Sequence, residues 1–201
     1  MLYKFLQLFF TTFFRLFFRV RIQGAENLPL TGPVILAANH CSNWDPPFLA
    51  AYLKRPVGYM AKQELFEVPV LGWVITQCHS FPVKRGAADR SAIKAAVQAL
   101  REENCIGLFP EGTRSKDGRL HKAEAGVALI AAMTKAPVVP AAIIGTAHIF
   151  PHSGLFSRVT VIYGRPMFFE GQHHDKAALQ VFSQKIMDEI ARMINLDSKD
   201  A

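Results

Sequence analysis

Cysteine is scarce in this 201-residue chain, and its three copies, Cys41, Cys78 and Cys105, lie far apart with no Cys-x-x-Cys pair. That pattern argues against a disulfide framework and a thiolate zinc site, and it fits a reducing compartment. Long apolar runs are missing from the N-terminus, where the longest uncharged stretch, Phe5 to Phe14, is ten residues. A helix needs roughly 20 to cross a bilayer. Charged residues make up only 19% of the chain against 50% apolar, which supports a sizeable core and excludes disordered and fibrous classes. The length allows one domain, or one domain with a small appendage. Acidic residues are the rarer sign, 16 against 23 basic, and the net charge of +7 favours an anionic partner. Nucleic acid, a membrane surface and a phosphorylated substrate all qualify on that ground.

Residues 1–20 contain no acid, only Lys4, Arg15 and Arg19 as charges, and seven of the sixteen phenylalanines. On a helical wheel of about 100° per residue, Lys4, Gln7, Thr11, Thr12, Arg15 and Arg19 share one arc, interrupted by Leu8 and Phe18. Phe5, Leu6, Phe9, Phe10, Phe13, Leu16 and Phe17 lie opposite. A basic stripe facing away from an aromatic side suits a helix lying in the headgroup region, so residues 1–20 are read as an amphipathic membrane anchor. A signal peptide would place a small-residue cleavage site where Arg15 and Arg19 stand. A tilted span with snorkelling arginines and a helix packed on its own domain are the other readings.

From Arg21 onward, short β-branched runs alternate with helical stretches, as in an α/β domain. The expected strands are Val34 to Ala38, Val57 to Ala61, His79 to Val83, Cys105 to Phe109, Val138 to Ile144 and Arg158 to Tyr163. Expected helices cover Phe48 to Leu53, Ala88 to Glu103 with Asp89 as its cap, Lys122 to Lys135 and Asp175 to Ile194. The last carries Leu179, Phe182, Ile186, Ile190 and Met193 as a core stripe. The fold class expected is α/β: a single domain over residues 21–201, with a central mixed, largely parallel sheet flanked by helices and preceded by the amphipathic helix.

Val34-Ile-Leu-Ala-Ala runs straight into Asn39-His40-Cys41-Ser42-Asn43-Trp44-Asp45-Pro46, so His40 falls just past a strand end, where open α/β sheets bind ligands. Asp45 is placed to fold back on one imidazole nitrogen and leave the other as a base. An Asp before a proline is equally a helix N-cap. A second strand end opens onto Pro110-Glu111-Gly112-Thr113-Arg114-Ser115. There Gly112 allows backbone amides to approach a ligand and Arg114 offers a planar fork for phosphate; an ordinary turn with a surface arginine is the plainer reading. Lys84 and Arg85 follow a third strand, and Lys116, Arg119 and Lys122 add positive charge. Flanking a crevice, these cations suit a small anionic substrate better than a nucleic-acid track.

Together these residues resemble the glycerolphosphate acyltransferases, and within them the PlsC-like 1-acylglycerol-3-phosphate acyltransferases. Asn39, His40 and Asp45 match the first block of that family, Phe81 to Arg85 looks like the second, and Phe109 to Ser115 matches the third without a change. Val139-Pro140 and their neighbours look like the fourth, and the match covers about residues 30 to 145. The resemblance implies transfer of a fatty acyl group from a thioester of acyl carrier protein or coenzyme A to the free hydroxyl of lysophosphatidic acid, giving phosphatidic acid. It implies His40 as general base and Asp45 as its orienting carboxylate. Arg114 with Lys84 or Arg85 would hold the phosphate, backbone amides near Gly112 and Thr113 the oxyanion, and Glu111 would order the loop or contact the glycerol. The acyl thioester is a co-substrate, no cofactor or metal is expected, and the implied location is the cytoplasmic face of the cell membrane. Relatives that use glycerol 3-phosphate or other lyso acceptors share these blocks. A thioester hydrolase would not need the phosphate-binding arginines, and a non-enzymatic membrane-binding protein would not need the His-Asp pair.

Overall fold

Along Val34–Ala38 alternate side chains enter two different cores. Ile35 and Ala37 join one buried cluster, Val34, Leu36 and Ala38 the other, as the two-residue period of a strand covered on both faces requires. The computed structural model describes residues 2–83, 90–149 and 156–199. Among these, the strands are β1 (Arg19–Gln23), β2 (Val34–Ala38), β3 (Gly58–Lys62), β4 (Phe81–Val83), β5 (Cys105–Leu108), β6 (Val138–Ile144) and β7 (Arg158–Tyr163). They form one seven-stranded sheet in the order β1-β7-β6-β2-β5-β3-β4. The five strands from β6 to β4 are parallel, while β7 runs antiparallel to β6 and carries β1 parallel to itself. The expected mixed, largely parallel sheet is what the chain forms.

The helices are α1 (Leu2–Phe17), α2 (Asp45–Ala51), α3 (Gln63–Glu67), α4 (Leu71–Gln77), α5 (Arg90–Arg101), α6 (Gly126–Thr134) and α7 (Lys176–Lys199). Residues of α5, α6 and α7 fill one core, including the whole stripe Leu179, Phe182, Ile186, Ile190 and Met193. Residues of α1 and α2 fill the other. Asp175 Oδ1 accepts the Ala178 amide at 3.0 Å and so caps α7.

Several local expectations change. Residues 122–125 are not helical, and α6 begins only at Gly126. Strand β1 was not anticipated, and it takes Arg19 and Val20 out of the N-terminal helix. Its Val20 and Ile22 pack on the core shared with α1 and α2, while Arg21 and Arg158 of β7 converge on the buried Asp197 carboxylate at 3.8 and 3.1 Å. Asp89 and the start expected for α5 lie outside the described residues.

Helix α1 is also rotated relative to the wheel drawn from sequence. Gln7 Nε2 donates to Leu53 O at 2.6 Å and Thr11 Oγ1 to Ala51 O at 2.9 Å, so these two polar residues face the domain and satisfy carbonyls left open where α2 ends. Phe14 stacks on Phe48 with centroids 3.7 Å apart, and Phe18, an intruder on the wheel, is buried beside it. The outward face instead carries Phe5, Leu8, Phe9, Leu16 and Phe17 together with Lys4, Thr12 and Arg15. No described helix is long and apolar enough to cross a membrane.

Candidate active site

The chain leaves β2 through α2 toward β3 on one side, whereas it leaves the adjacent β5 through α6 toward β6 on the other. Because α2 and α6 lie on opposite faces of the sheet, the loops after β2 and β5 diverge and leave a crevice at the strand C-termini. His40 stands two residues past β2, and Phe109 to Ser115 follow β5. Thr146 follows β6, the other neighbour of β2.

His40 Nδ1 lies 2.8 Å from Asp45 Oδ2, which also accepts the amides of Cys41 and Ser42, each at 2.7 Å. Oδ1 accepts the Thr146 hydroxyl at 2.5 Å. Asp45 is fully buried as the first residue of α2. Its carboxylate turns back to residues 40–42 and does not cap the helix, although Pro46 and Pro47 follow it as a helix start would favour. A carboxylate oxygen surrounded by donors accepts, so Nδ1 carries the imidazole hydrogen and Nε2 the lone pair. Nε2 has no hydrogen-bond partner among the described residues, and the His40 side chain is 13% exposed.

Further contacts hold the His40 ring, its backbone and the residue before it. Phe109 stacks on its ring, 3.9 Å between centroids at 14°. The His40 amide donates to Glu111 Oε1 at 3.2 Å, and the His40 carbonyl accepts the Ser115 amide at 2.7 Å. Asn39 pairs both ways with Ile143, its Nδ2 donating to Ile143 O and its Oδ1 accepting Ile143 N, each at 2.8 Å. This pair extends the β2–β6 ladder one step past its last backbone partners. Gly145, at φ 93°, then turns the chain back toward Thr146, and a Cβ there would lie 2.2 Å from Arg158 O.

Both Glu111 oxygens are taken by backbone amides, that of His40 and that of His121 at 3.0 Å. Its place is therefore within the loop, which it orders. Gly112 N donates to Phe109 O at 2.9 Å and closes a turn, so this amide already has a partner within the loop. The Ser115 hydroxyl donates to Asp117 at 2.9 Å. The Arg119 amide and this hydroxyl hold the Asp117 carboxyl below the usual range. Gly112, Thr113 and Arg114 are exposed, and Arg114 has no hydrogen bond or ion pair among the described residues. Lys84 and Arg85 lie outside the described residues. Cys41, next to the base, has its thiol pushed up to about 11, first by burial and then by the Asp45 carboxylate, which disfavours a nucleophilic thiolate there.

Sequence reasoning missed Thr146, whose only signal is its place just beyond the strand beside β2. It quoted Asn39 without finding the Ile143 clamp. Tyr59 also escaped it: its hydroxyl donates to Pro46 O at 3.0 Å and its ring lies parallel to that of Phe109, so that β3 buttresses the Asp45 turn.

An imidazole tied to a buried carboxylate at the C-terminal strand ends of a largely parallel sheet, beside an arginine-bearing loop, is the candidate site of an α/β protein. The chain belongs to the acyltransferase family, whose model, described as Acyltransferase, matches residues 19–144. It is 37% identical over 154 residues to a 1-acyl-sn-glycerol-3-phosphate acyltransferase of Bacillus subtilis, covering 74% of this chain and 73% of that protein. A chloroplastic 1-acyl-sn-glycerol-3-phosphate acyltransferase of Brassica napus is 34% identical over 163 residues, covering 76% of this chain and 46% of the relative. The chain thus spans about half the length of the plant relatives it matches, with 50% for the Arabidopsis thaliana enzyme. The crystal structure of the 1-acyl-sn-glycerophosphate acyltransferase PlsC of Thermotoga maritima superimposes with a TM-score of 0.82 at 28% identity, over 98% of this chain and 79% of that one. The family expected from the motifs is the family found.

Proposed function

We propose that this chain transfers a fatty acyl group from an acyl thioester to the sn-2 hydroxyl of 1-acylglycerol 3-phosphate, giving phosphatidic acid. The observation that carries the reading is the His40–Asp45 pair, with Nδ1 committed to the carboxylate and Nε2 left for substrate. Nε2 takes the hydroxyl proton while the acceptor oxygen attacks the thioester carbonyl, and Asp45 offsets the charge of the imidazolium. Collapse of the tetrahedral intermediate breaks the carbon–sulfur bond, and the departing sulfur recovers the proton from Nε2. No acyl-enzyme is needed. Arg114, exposed and without a hydrogen bond or ion pair among the described residues, meets the acceptor phosphate together with Lys84 or Arg85.

The names of the relatives support lysophosphatidic acid as acceptor. Either acyl carrier protein or coenzyme A fits as the donor's thiol. The outward face of α1, with Lys4 and Arg15 beside Phe5 and Phe9, fits a protein seated on the cytoplasmic face of an anionic membrane.

The test is incubation of the purified protein with a panel of lyso acceptors, glycerol 3-phosphate and both thioester donors, followed by product mass analysis. Phosphatidic acid is expected from lysophosphatidic acid. His40→Ala is expected to lower kcat at least about 10³-fold, since general-base catalysis supplies roughly 10² to 10⁴. Thioester breakdown at the same rate with and without acceptor, or a folded His40→Ala variant keeping a tenth of wild-type turnover, overturns the reading.

A further inference from the structure

Sixteen large apolar side chains stand exposed among the described residues, and ten of them belong to two neighbouring elements. Five are on α1: Phe5, Leu8, Phe9, Leu16 and Phe17. The other five, Leu65, Val68, Val70, Leu71 and Trp73, lie in the hairpin of α3 and α4. The two helices α1 and α4 are in contact, and the Tyr3 ring meets that of His79 edge-on at 6.1 Å just past the end of α4. A concentration of this kind on one part of a surface marks an interaction site.

The turn between α3 and α4 is strained in a way that displays an apolar residue. Val70 sits at φ 65°, ψ −53°, and Leu71 N donates to Pro69 O at 2.7 Å. These are the marks of a γ-turn of the rare positive-φ kind, and a β-branched residue there is an outlier. A water-facing turn would relieve the strain with glycine or asparagine. Here the apex is a valine, 75% exposed, with Trp73 at 59% beside it. The hairpin is also closely packed: a Cβ on Gly72 would lie 2.2 Å from Phe66 O, so the two short helices press backbone to backbone.

Charge separates this element from α1. Residues 68–78 carry no charged side chain, and between Lys62 and Lys84 the only charges are Glu64 and Glu67. Cations to meet anionic headgroups are on α1, while residues 68–78, which follow the exposed Glu64 and Glu67 of α3, offer an uncharged, largely apolar surface and an indole suited to the interface. Its location suits a lipid surface as well. β3 runs parallel to β2 and β5, so α3 starts from the end of the sheet where His40 stands.

We propose that the α3–α4 turn is a second lipid-contact element, inserting Val68, Val70, Leu71 and Trp73 into the acyl boundary of a bilayer beside the outward face of α1 and turning the crevice toward the membrane. The proposal rests on the reading that the acceptor is a membrane lipid. Because residues 68–78 carry no charge, the contribution of this segment needs no anionic lipid and persists at high salt, whereas that of α1 depends on both.

The experiment is vesicle sedimentation of wild type and the double variant Val70→Asp/Trp73→Ser, with circular dichroism melts to show that both are folded. Val70→Leu serves as the conservative control. On pure phosphatidylcholine vesicles the double variant is expected to lose at least about tenfold in partitioning, since two exposed apolar groups no longer enter the bilayer. On vesicles with added phosphatidylglycerol it keeps the salt-sensitive part, and Val70→Leu binds like wild type. A folded double variant that partitions into phosphatidylcholine vesicles like wild type overturns the proposal. So does light scattering that shows a lipid-free wild-type dimer dissociating in the double variant, because the occupant is then a second copy of the chain. Acyl transfer to a short-chain lysophosphatidic acid below its micelle concentration separates the two readings. The double variant is expected to match wild type there and to fall behind only on vesicle-borne acceptor. Wild type that makes no phosphatidic acid from the soluble acceptor sinks the acyltransferase reading and leaves the partitioning result to stand alone.

Discussion

The Thr146 hydroxyl donates to Asp45 Oδ1 at 2.5 Å, across 101 residues of sequence. It joins the loop after β6 to the residue that orients His40. Both partners are essentially out of solvent, so water cannot replace the donor. Thr146→Val keeps the shape and leaves one oxygen of a buried carboxylate short of a partner, a loss of about 1.5–3 kcal/mol for a hydrogen bond to a charged group. Urea unfolding is expected to show that loss, kcat is expected to fall with it, and Thr146→Ser should recover both. A Thr146→Val variant as stable and as active as wild type would show that Asp45 is held by the other three donors alone.

What was legible in the sequence divides by range. Val34–Ala38, Val138–Ile144 and Arg158–Tyr163 were readable to the residue because each is a β-branched or alanine-rich run bounded by polar or turn residues. Strand β1 was not, because Arg19-Val-Arg-Ile-Gln has only two apolar residues. Its partner is Arg158–Tyr163 at the far end of the chain, which no local window sees. Five-residue spacing and strand-end position allowed the closeness of His40 and Asp45 but allowed a helix N-cap equally, and only the resemblance to the acyltransferase blocks chose between them. Their clamps, Thr146 and Asn39–Ile143, depend on β6 lying beside β2, a choice of strand order that spacing does not encode. On α1 the polar arc of the wheel does not face one way: Gln7 and Thr11 turned inward because the carbonyls past α2 needed donors, while Lys4, Thr12 and Arg15 stayed outside with Phe5 and Phe9. A wheel ranks hydrophobicity and is blind to such partners.

Gly107 occupies β5 where Tyr59 of β3 leans across it. A Cβ there would lie 2.2 Å from Tyr59 Cε1, and the ring is held by the bond from its hydroxyl to Pro46 O. Gly107→Ala is expected to destabilise by about 1–3 kcal/mol, the usual range for overpacking. It should also lower kcat by pushing on the parallel Tyr59 and Phe109 rings that back His40. Combining it with Tyr59→Ala should cost less than the sum of the two single changes, because the clash partner is gone. Additive losses in denaturant unfolding would count against the clash.

Cys41 tests whether the residue beside the base takes part covalently. Burial, then the Asp45 carboxylate, pushes its thiol up to about 11. A raised pKa for an acid favours its neutral form, so the reactive thiolate is a minor species at neutral pH, and its fraction rises tenfold per pH unit until about pH 11. Alkylation by iodoacetamide should be slow near pH 7 and accelerate along that line. Asp45→Asn removes one of the raising charges and should shift the profile to lower pH. Cys41→Ala is expected to retain acyl transfer. Rapid alkylation at neutral pH, with an isolable acyl-Cys41 intermediate, would replace the direct-attack mechanism by a two-step one.

Arg114 separates acyl transfer from thioester hydrolysis. Its side chain is exposed and has no hydrogen bond or ion pair among the described residues, so Arg114→Ala should leave the melting temperature close to that of wild type, and changes in kinetics can be read as lost substrate contact. A charge-assisted hydrogen bond to the acceptor phosphate is worth about 1.5–3 kcal/mol, so kcat/KM for lysophosphatidic acid should fall roughly 10- to 150-fold. Arg114→Lys keeps the charge without the two-pronged geometry and should recover only part. The slow breakdown of the thioester without acceptor needs the His40 base and no phosphate contact, so it should be nearly unchanged in Arg114→Ala. If breakdown and transfer instead slow together at unchanged acceptor KM, Arg114 serves the donor. The phosphate contact then passes to Lys84 and Arg85, where the same pair of measurements on alanine variants decides it.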